Sequence, residues 1–259
     1  YLLIDRDVAS YYPYIILNNK FYPKHLGETF LIVYQTIVDR RIYAKHLSKH
    51  EDKEIAKENK KEADSLKITI NGSFGKLGSK YSKLYSPDLL IQVTVTGQLS
   101  LLMLIEMLEL NEIEVVSANT DGIVIKPHET QVDRLNEIVK MWEQLTGFET
   151  EETQYSAVYS RDVNNYIAIL ADGSGYKGKG VFGETTLKKQ PNSEICAKAV
   201  AEFLMNGTPV RKTIEASEDI ADFITVKTVK GGAHKDGWLL GKAIRWYYAY
   251  GVEGTINYI

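Results

Sequence analysis

Two aspartates, each placed where an apolar run gives way to a polar turn, constrain this chain more than any other feature. Asp7 follows the strand-like run 1–6 and begins the segment Asp-Val-Ala-Ser-Tyr-Tyr-Pro. Asp121 lies in the segment 116–124, where two apolar runs are joined by a short polar turn, a pattern typical of a β-hairpin. Carboxylate oxygens are ligands that Mg²⁺ prefers. The sequence therefore predicts a divalent-metal site at which strand ends bring these two carboxylates together.

Both aspartates have a simpler interpretation when each is taken alone. For Asp7 it is a solvated side chain at the end of a strand. Asp5 is an alternative to Asp7, because strand alternation puts the two on the same face. The segment Asn-Thr-Asp-Gly around Asp121 also contains residues that are common in turns for conformational reasons.

A helical segment between the two aspartates carries complementary charge and an aromatic ring. Lys67, Asn71 and Phe74 are spaced i, i+4, i+7, so they share one face of a helix. An ammonium group can bind a triphosphate as a point charge, and a ring can support a base pair. Gly72 leaves the backbone bare for a close approach. These residues indicate a nucleotide site.

Two helical patterns, about 30–47 and 53–73, flank a short polar stretch and predict a helical hairpin. Arg41 and Lys45 on the first helix are spaced i, i+4 and are further candidates for phosphate binding. A solvated cationic face is the competing interpretation of this pair, and Arg40 is an alternative to Arg41.

Three motifs in this order resemble those of the family B DNA polymerases, and more narrowly the phage-type replicative enzymes. The motif Asp-x-x-Ser-Leu-Tyr-Pro is matched by Asp7, Ser10, Tyr12 and Pro13, with Tyr11 in place of Leu. The motif Lys-x-x-x-Asn-Ser-x-Tyr-Gly is matched by Lys67, Asn71 and Gly75, with Gly72 for Ser and Phe74 for Tyr. The motif Asp-Thr-Asp appears as Asn119, Thr120 and Asp121. The register of the first motif selects Asp7 over Asp5.

The resemblance implies a DNA-directed DNA polymerase that uses two Mg²⁺ ions, for which Mn²⁺ can substitute. It implies that Asp7, Asp121 and the carbonyl of Val8 hold the ions, and that the partners are a DNA template-primer and a dNTP. The residues that it assigns to the triphosphate are Arg41, Lys45, Lys67 and Asn71. Those that it assigns to the sugar gate and the nascent base pair are Tyr12, Gly72 and Phe74. A core tyrosine is the alternative for Tyr12, since the chain has 17 Tyr.

Asn119 departs from the family pattern, because an acidic residue is usual at this position. It supplies no formal charge, and the resemblance implies that Asp121 is the essential ligand. Two rival functions share parts of the pattern. A reverse transcriptase or primase-polymerase has a similar carboxylate pair, and a catalytically degenerate DNA-binding remnant would be compatible with Asn119.

Downstream segments resemble the primer-strand and thumb regions of the same family. The residues that this likeness assigns to DNA binding are Asn164, Tyr166, Lys179, Gly231, Gly232, Lys242 and Arg245. The tract 223–245 has five Lys or Arg residues and one acidic residue, although the formal net charge of the chain is −3. A basic tract in an acidic chain suits a DNA groove, and a solvated face is the alternative.

We expect an α+β fold, a polymerase palm with an antiparallel sheet, helical-hairpin fingers and a partial thumb. The predicted divisions are 1–28 palm, 29–76 fingers, 77–190 palm and 191–259 thumb. Within them the sequence predicts an irregular segment around Pro13, a long helix over 88–110, a turn at 172–175 between strands, and a helix from about Ser193 to Gly207. The chain begins at Tyr1 and ends without a change of composition, so we expect other domains of the same polymerase outside it. No apolar run is expected to approach the length that is needed to span a membrane. We interpret the single Cys196 as a small buried residue, consistent with a cytoplasmic location, or with the host cytoplasm for a phage protein.

Overall fold

The computed structural model describes residues 1–183 and 191–259, which form two compact units, Tyr1–Thr153 and Gln154–Ile259. The elements of the first unit are β1 (Leu3–Val8), α1 (Tyr11–Asn18), α2 (Thr29–Leu47), α3 (Lys53–Lys76), α4 (Pro87–Glu109), β2 (Glu114–Asn119), β3 (Gly122–Lys126) and α5 (Val132–Thr146). Strand β4 (Thr150–Asp162) begins in the first unit and continues into the second. The second unit also contains β5 (Asn165–Leu170), β6 (Tyr176–Lys179), α6 (Glu194–Asn206), α7 (Val210–Ala216), β7 (Thr225–Lys235), β8 (Trp238–Trp246) and β9 (Asn257–Tyr258).

The antiparallel ladder of β2, β3 and β1 positions both aspartates in the first unit. Strand β3 lies between the other two and pairs with each of them. Ile4 of β1 lies opposite Ile125 of β3, and both are buried in the core. Asp7 of β1 lies opposite Gly122. The predicted hairpin around Asp121 is therefore confirmed, with its turn beside the end of β1.

The segment after Asp7 differs from its prediction. We expected an irregular stretch around Pro13, but Tyr11–Asn18 is a helix and Pro13 lies in its first turn. Proline is tolerated there because the first N–H groups of a helix have no intrahelical acceptor. Tyr11, Pro13, Ile15 and Ile16 are buried, so core packing holds this short helix in place.

The predicted helical hairpin is confirmed by α2 and α3. These helices are joined through a buried tyrosine, because the hydroxyl of Tyr34 donates to the carbonyl of Ile70 at 3.5 Å. Asp52 caps α3, and its carboxylate accepts the N–H groups of Glu54 and Ile55. Helix α3 ends at Lys76, three residues beyond its predicted end, so the whole predicted nucleotide-binding face is helical.

Helix α4 is the central core helix of the first unit. Its buried face recurs at helical spacing and comprises Leu89, Val93, Gly97, Leu101, Leu104 and Leu108. The helix is also long and apolar enough to cross a membrane by length and composition, so the expectation that no run approaches that length is wrong. Packing explains the buried face of the helix, because burying each Leu or Val side chain contributes about 1.5–3 kcal/mol. Trp142 of α5 is fully buried and donates from Nε1 to the carbonyl of Ser100 at 2.8 Å.

The second unit combines two antiparallel ladders with two helices. Strands β4, β5 and β6 pair in chain order, and the predicted turn at 172–175 joins the last two. Helix α6 ends at Gly207, whose φ of +67° is the left-handed geometry that favours glycine. Cys196 is exposed, which corrects our interpretation of it as a buried residue. It follows the buried Ile195 on α6 and lies on the solvent-exposed side of that helix.

The basic tract forms a β-hairpin of β7 and β8. Its turn consists of Asp236 and Gly237, both with positive φ, as a type I′ turn requires. Helices and antiparallel strands together confirm the α+β class. The names palm, fingers and thumb stay predictions at this stage, and the end of the predicted palm segment 77–190 lies outside the described residues.

Candidate active site

Backbone pairing brings Asp7 and Asp121 to the same end of the first sheet. The N–H of Val8 donates to the carbonyl of Asp121 at 2.7 Å, directly beyond the pair formed by Asp7 and Gly122. Both aspartates are exposed, whereas Asp5 is buried. Asp7 is therefore the more exposed of the two carboxylates, and its choice over Asp5 as a metal ligand stays a prediction.

Gly122 makes room for the carboxylate of Asp7. A Cβ atom at this glycine would lie well within contact distance of Asp7 Oδ1 and close to the carbonyl of Arg6. Any side chain at this position would therefore displace the carboxylate or the strand. The glycine after Asp121 is a steric requirement of the site as well as a turn residue.

A cleft of about 410 Å³ contains most of the residues that the sequence singled out. Its predicted lining residues are Asp7, Val8, Tyr12, Arg41, Lys45, Lys67, Asn71, Phe74 and Asp121. Strand β1, the start of α1, the β2–β3 turn and the facing sides of α2 and α3 supply them. Three cationic side chains and two predicted carboxylates, together with Glu151, line one cavity, which suits a ligand that carries both metal ions and phosphates.

Arg41 is held at the cleft by the turn that follows Asp7. Its Nη1 donates to Ser10 Oγ at 2.6 Å, and Ser10 has a positive φ of 51°. The Nε of Arg41 is buried and has no hydrogen-bond acceptor among the described residues. A buried donor without an acceptor is costly, and an anion in the cleft would satisfy it. Arg40, the alternative candidate, is exposed and pairs with Glu62 outside the cleft.

Lys45 forms an ion pair with Glu151 of β4, with Nζ 2.7 Å from Oε1. The hydrogen bond from Lys45 lowers the pKa of the Glu151 carboxyl, so this third carboxylate of the cleft stays charged. Sequence reasoning missed Glu151, because nothing distinguishes it from its neighbours Glu149 and Glu152. Its position at the start of β4 places it in the cleft.

Tyr12 and Phe74 form an aromatic stack on the wall of the cleft. Their ring centroids are 4.1 Å apart and the planes differ by 11°. Burial raises the pKa of the Tyr12 hydroxyl, and the nearby charge of Asp121 raises it further. Tyr11 has a different function, because its ring is buried and its hydroxyl donates to the carbonyl of Gly97 at 2.5 Å. Tyr12 is half-buried and lines the cleft, and its function as a sugar gate stays a prediction.

Asn119 uses its amide oxygen within the turn. Its Oδ1 accepts the N–H of Thr120 at 2.8 Å and the hydroxyl of the same residue at 3.2 Å. Asn119 lines a neighbouring groove together with Tyr12 and Gln98 rather than the cleft itself. A local structural function accounts for the amide at this departure from the family motif.

Gly72 is the one predicted residue of the first unit that does not line the cleft. It is exposed on α3, and a Cβ atom there would meet nothing within 4 Å. No contact within the described residues therefore requires glycine at this position. Only a bound molecule that approaches the backbone of Gly72 closely would require it.

The donor set of the cleft fits Mg²⁺. Protein sites for this ion commonly supply one or two carboxylates and leave the other positions to water and substrate phosphates. Asp7 and Asp121 provide the carboxylates, and the Val8 carbonyl is a neighbouring oxygen. Among the residues 1–183 and 191–259, no group of three or more His, Cys, Asp or Glu side chains forms a self-sufficient metal centre. Ions at this site would thus depend on ligands from the substrate.

The predicted primer-strand residues lie together in the second unit. Tyr166 of β5 is opposite Lys179 of β6, and Nζ of Lys179 is 5.8 Å from the centroid of the Tyr166 ring. Asn164 is exposed in the β4–β5 turn, where its N–H donates to Asp162. The ladder accordingly groups an aromatic ring, a cation and an amide at one edge, and their contact with DNA stays a prediction.

The predicted thumb residues are strand residues of the β7–β8 hairpin. Lys242 and Arg245 are exposed on β8. Gly232 is buried, and its carbonyl accepts the N–H of Ile259 at 3.0 Å. The backbone of Ile259 also lies where a Cβ of Gly231 would be. The glycine pair therefore packs against the chain's last residue, and its proposed contact with phosphates stays a prediction.

Comparison with known proteins finds similar sequences and a similar fold. No family model matches the sequence. The DNA polymerase alpha catalytic subunit of Xenopus laevis is 29% identical over 139 residues, which are 53% of this chain and 9% of that protein. The mouse subunit of the same name is 30% identical over 101 residues, 38% of this chain and 7% of that protein.

A solved structure extends the comparison to the fold. The family B DNA polymerase of the hyperthermophilic archaeon Pyrobaculum calidifontis superposes with a TM-score of 0.57 at 19% identity, over 88% of this chain and 34% of the archaeal chain. This chain is similar in sequence to DNA polymerase alpha subunits and in fold to a family B DNA polymerase. The family B fold spans nearly all of it, so the predicted fold is confirmed. The aligned part is less than a tenth of either DNA polymerase alpha subunit.

Proposed function

We propose that this chain is the catalytic core of a DNA-directed DNA polymerase. The observation that carries the proposal is the single cleft in which Asp7 and Asp121 face Arg41, Lys45 and Lys67 across a stacked aromatic pair. The similarity of this chain to DNA polymerases supports the same activity. The narrower assignment to phage-type replicative enzymes stays a prediction.

The cations of the cleft bind the triphosphate of an incoming dNTP. Arg41 offers its unsatisfied Nε, and Lys67 has no ion-pair partner in the described part of the chain, so both are available to phosphate oxygens. Lys45 is paired with Glu151, and a triphosphate would compete for it. Asn71 can donate from its side-chain amide on the same face of α3.

The aromatic pair lies beneath the sugar and the nascent base pair. Tyr12 acts as a steric gate against a 2′-hydroxyl, and the stack with Phe74 fixes its ring. Gly72 leaves the α3 backbone open beside this position. The shape of the aromatic pair thus selects the nucleotide, and the cationic side chains of the cleft bind it.

The reaction is the in-line attack of the primer 3′-hydroxyl on the α-phosphate, with pyrophosphate leaving. Asp7, Asp121 and the Val8 carbonyl would hold two Mg²⁺ ions, or Mn²⁺. When bound, these ions lower the pKa of the hydroxyl and neutralise charge on the triphosphate and the pyrophosphate. The protein's own contribution is to position the reactants and to provide fixed charges.

Primer extension by single-residue variants tests the proposal. We expect Asp7→Ala and Asp121→Ala each to abolish nucleotide incorporation while DNA binding is largely kept. Asn119→Ala is the matched control, since it removes an amide that caps the turn and should cost far less. Incorporation near the wild-type rate by either aspartate variant would contradict the assignment. Running DNA and RNA templates in parallel distinguishes a DNA polymerase from a reverse transcriptase, and a lack of extension on both indicates a DNA-binding remnant.

A further inference from the structure

The loop between α3 and α4, residues 77–86, combines positive charge with exposed aromatic rings. No acidic residue occurs between Asp64 and Asp88. The same interval contains four lysines, Lys67, Lys76, Lys80 and Lys83, in a chain whose net charge is −3. A local excess of cations in an acidic protein favours a polyanionic ligand.

The α3–α4 loop is fixed at both ends and in its middle. The N–H of Ser86 donates to the carbonyl of Leu77 at 2.8 Å, which closes the loop, and Leu77 is fully buried. Leu84 packs against the core, and a ring nitrogen of His25 lies 2.8 Å from the carbonyl of Lys83. The loop therefore presents its tip in a defined position on the first unit.

Two tyrosines of the loop are exposed beside its lysines. Tyr81 is 88% exposed and Tyr85 is 43% exposed. The Nζ of Lys80 lies 5.1 Å from the centroid of the Tyr81 ring, so an aromatic face and a cation occur side by side. A tyrosine ring exposed to this degree is available for stacking on a base, which contributes to binding without reading its sequence.

The loop directly continues the wall of the nucleotide cleft. Phe74 lines the cleft, and the N–H of Leu77 donates to the carbonyl of Phe74 at 3.0 Å. One helical turn thus separates the ring beneath the nascent base pair from the first residue of the loop. A strand that leaves the cleft past Phe74 would reach the lysines and tyrosines of the loop.

We infer that the α3–α4 loop binds the unpaired template strand, with a base stacked on Tyr81 and phosphates bound by Lys80 and Lys83. The inference rests on the proposed function, because a template must enter the cleft for the loop to meet it. An unpaired base exposes its face to a ring, whereas the bases inside a duplex are covered by their neighbours. The ligand is accordingly single-stranded nucleic acid.

The decisive experiment compares two primer-templates in a fluorescence anisotropy titration. In one, the template extends a single nucleotide beyond the primer, and in the other it has a long single-stranded extension. We expect Tyr81→Ala to lose about tenfold in affinity for the long extension, the size of one base–aromatic stack. Its affinity for the short template should not change. Tyr81→Phe keeps the ring and should keep the wild-type affinity.

Two further measurements distinguish stacking from other causes. Abasic nucleotides in the extension should reduce wild-type affinity to that of Tyr81→Ala and leave the variant unaffected. Lys80→Gln and Lys83→Gln should each reduce the slope of log affinity against log salt by about 0.7, as expected for single-stranded contacts. The matched control is Tyr43→Ala on α2, which removes a tyrosine that is 67% exposed.

Equal losses for Tyr81→Ala on both templates, or no loss on either, would overturn the inference. Nucleotide incorporation on the short template is measured separately and reports on the proposed function alone. Extension-dependent binding through Tyr81 without any incorporation by the wild type would refute the polymerase activity and leave the template contact standing.

Discussion

At the scale of single residues, two cationic side chains of the cleft already have partners that a bound triphosphate would have to displace or leave in place. Arg41 donates to Ser10, and Lys45 pairs with Glu151. A triphosphate would therefore meet side chains that are already oriented by neutral or charged partners. Arg41 keeps its Nε free of any acceptor in the described residues, and this donor is the most direct sign that an anion belongs in the cleft.

Tyr12 should exclude ribonucleotides by shape. Replacing it with Ala removes the ring that stacks on Phe74, so we expect the incorporation of rNTP relative to dNTP to rise. Single-nucleotide incorporation with matched rNTP and dNTP measures this ratio.

Tyr12→Phe is the control for this experiment, since it keeps the ring and removes only the hydroxyl. Discrimination should survive in Tyr12→Phe. An unchanged ratio in Tyr12→Ala would mean that Tyr12 has a packing function and that another residue forms the gate.

At the scale of secondary-structure elements, the α2–α3 hairpin depends on how its second helix begins. Asp52 accepts the N–H groups of Glu54 and Ile55, which have no acceptor within the helix. Its negative charge also lies at the positive end of the helix dipole. Helix α3 carries Lys67, Asn71 and Phe74 near its other end, so the cap supports the element that presents the nucleotide face.

Loss of this cap should weaken the fold measurably. Asp52→Ala should lower the free energy of unfolding by about 1 kcal/mol, because two N–H groups lose their acceptor. Urea denaturation followed by circular dichroism gives this value. Asp52→Asn preserves an acceptor oxygen and should cost less.

Ser86→Ala is the matched control for the cap, since Ser86 occupies the N-cap position of α4 without a side-chain cap bond. If the two alanine variants lose the same stability, the cap of α3 has no special value.

At the scale of the whole molecule, the two units are stabilised differently. The first has a large apolar core around α4 and Trp142. The second contains an ion pair between the buried Asp222 and the exposed Lys198, in which Lys198 Nζ lies 2.5 Å from Asp222 Oδ1. Ser217 donates to the other carboxylate oxygen. Burial by itself raises the pKa of Asp222, but the hydrogen bonds from Lys198 and Ser217 outweigh burial and the pKa is lowered.

This contact predicts an acid-sensitive second unit. A carboxyl whose folded-state pKa is lowered contributes stability above its unfolded pKa and loses it as the pH falls through the folded value. The same contact raises the pKa of Lys198, so the contribution of the lysine is lost only as the pH rises through its own folded value. Asp222→Asn should therefore reduce stability at neutral pH and flatten its decline in acid.

Urea midpoints at neutral and acidic pH test this prediction. Asp236→Asn is the control, because it removes a carboxylate from the exposed β7–β8 turn. A steep acid decline that persists in Asp222→Asn would place the titrating group elsewhere.

Local sequence patterns predicted much of the fold because the relevant forces act within a few residues. Apolar spacing located α2, α3 and α4, and the glycine after α6 located the end of that helix. Pro13 misled the prediction, because proline is excluded from helix interiors but not from a first turn. The prediction that Cys196 is buried was wrong, because a short amphipathic pattern does not decide whether a residue at the edge of the apolar face is buried or exposed.

The sequence by itself determined which residues are the candidates for ligand binding in the cleft. Asp7, Asp121, Arg41, Lys45, Lys67, Asn71, Tyr12 and Phe74 were predicted from motif and spacing, and the structure brings all of them to one cavity. Only the tertiary structure decided between Arg40 and Arg41, added Glu151, and assigned the Asn119 amide to its own turn. The physical reason is that these outcomes depend on distances between segments far apart in the chain, which strand register and helix packing set and which no local pattern contains.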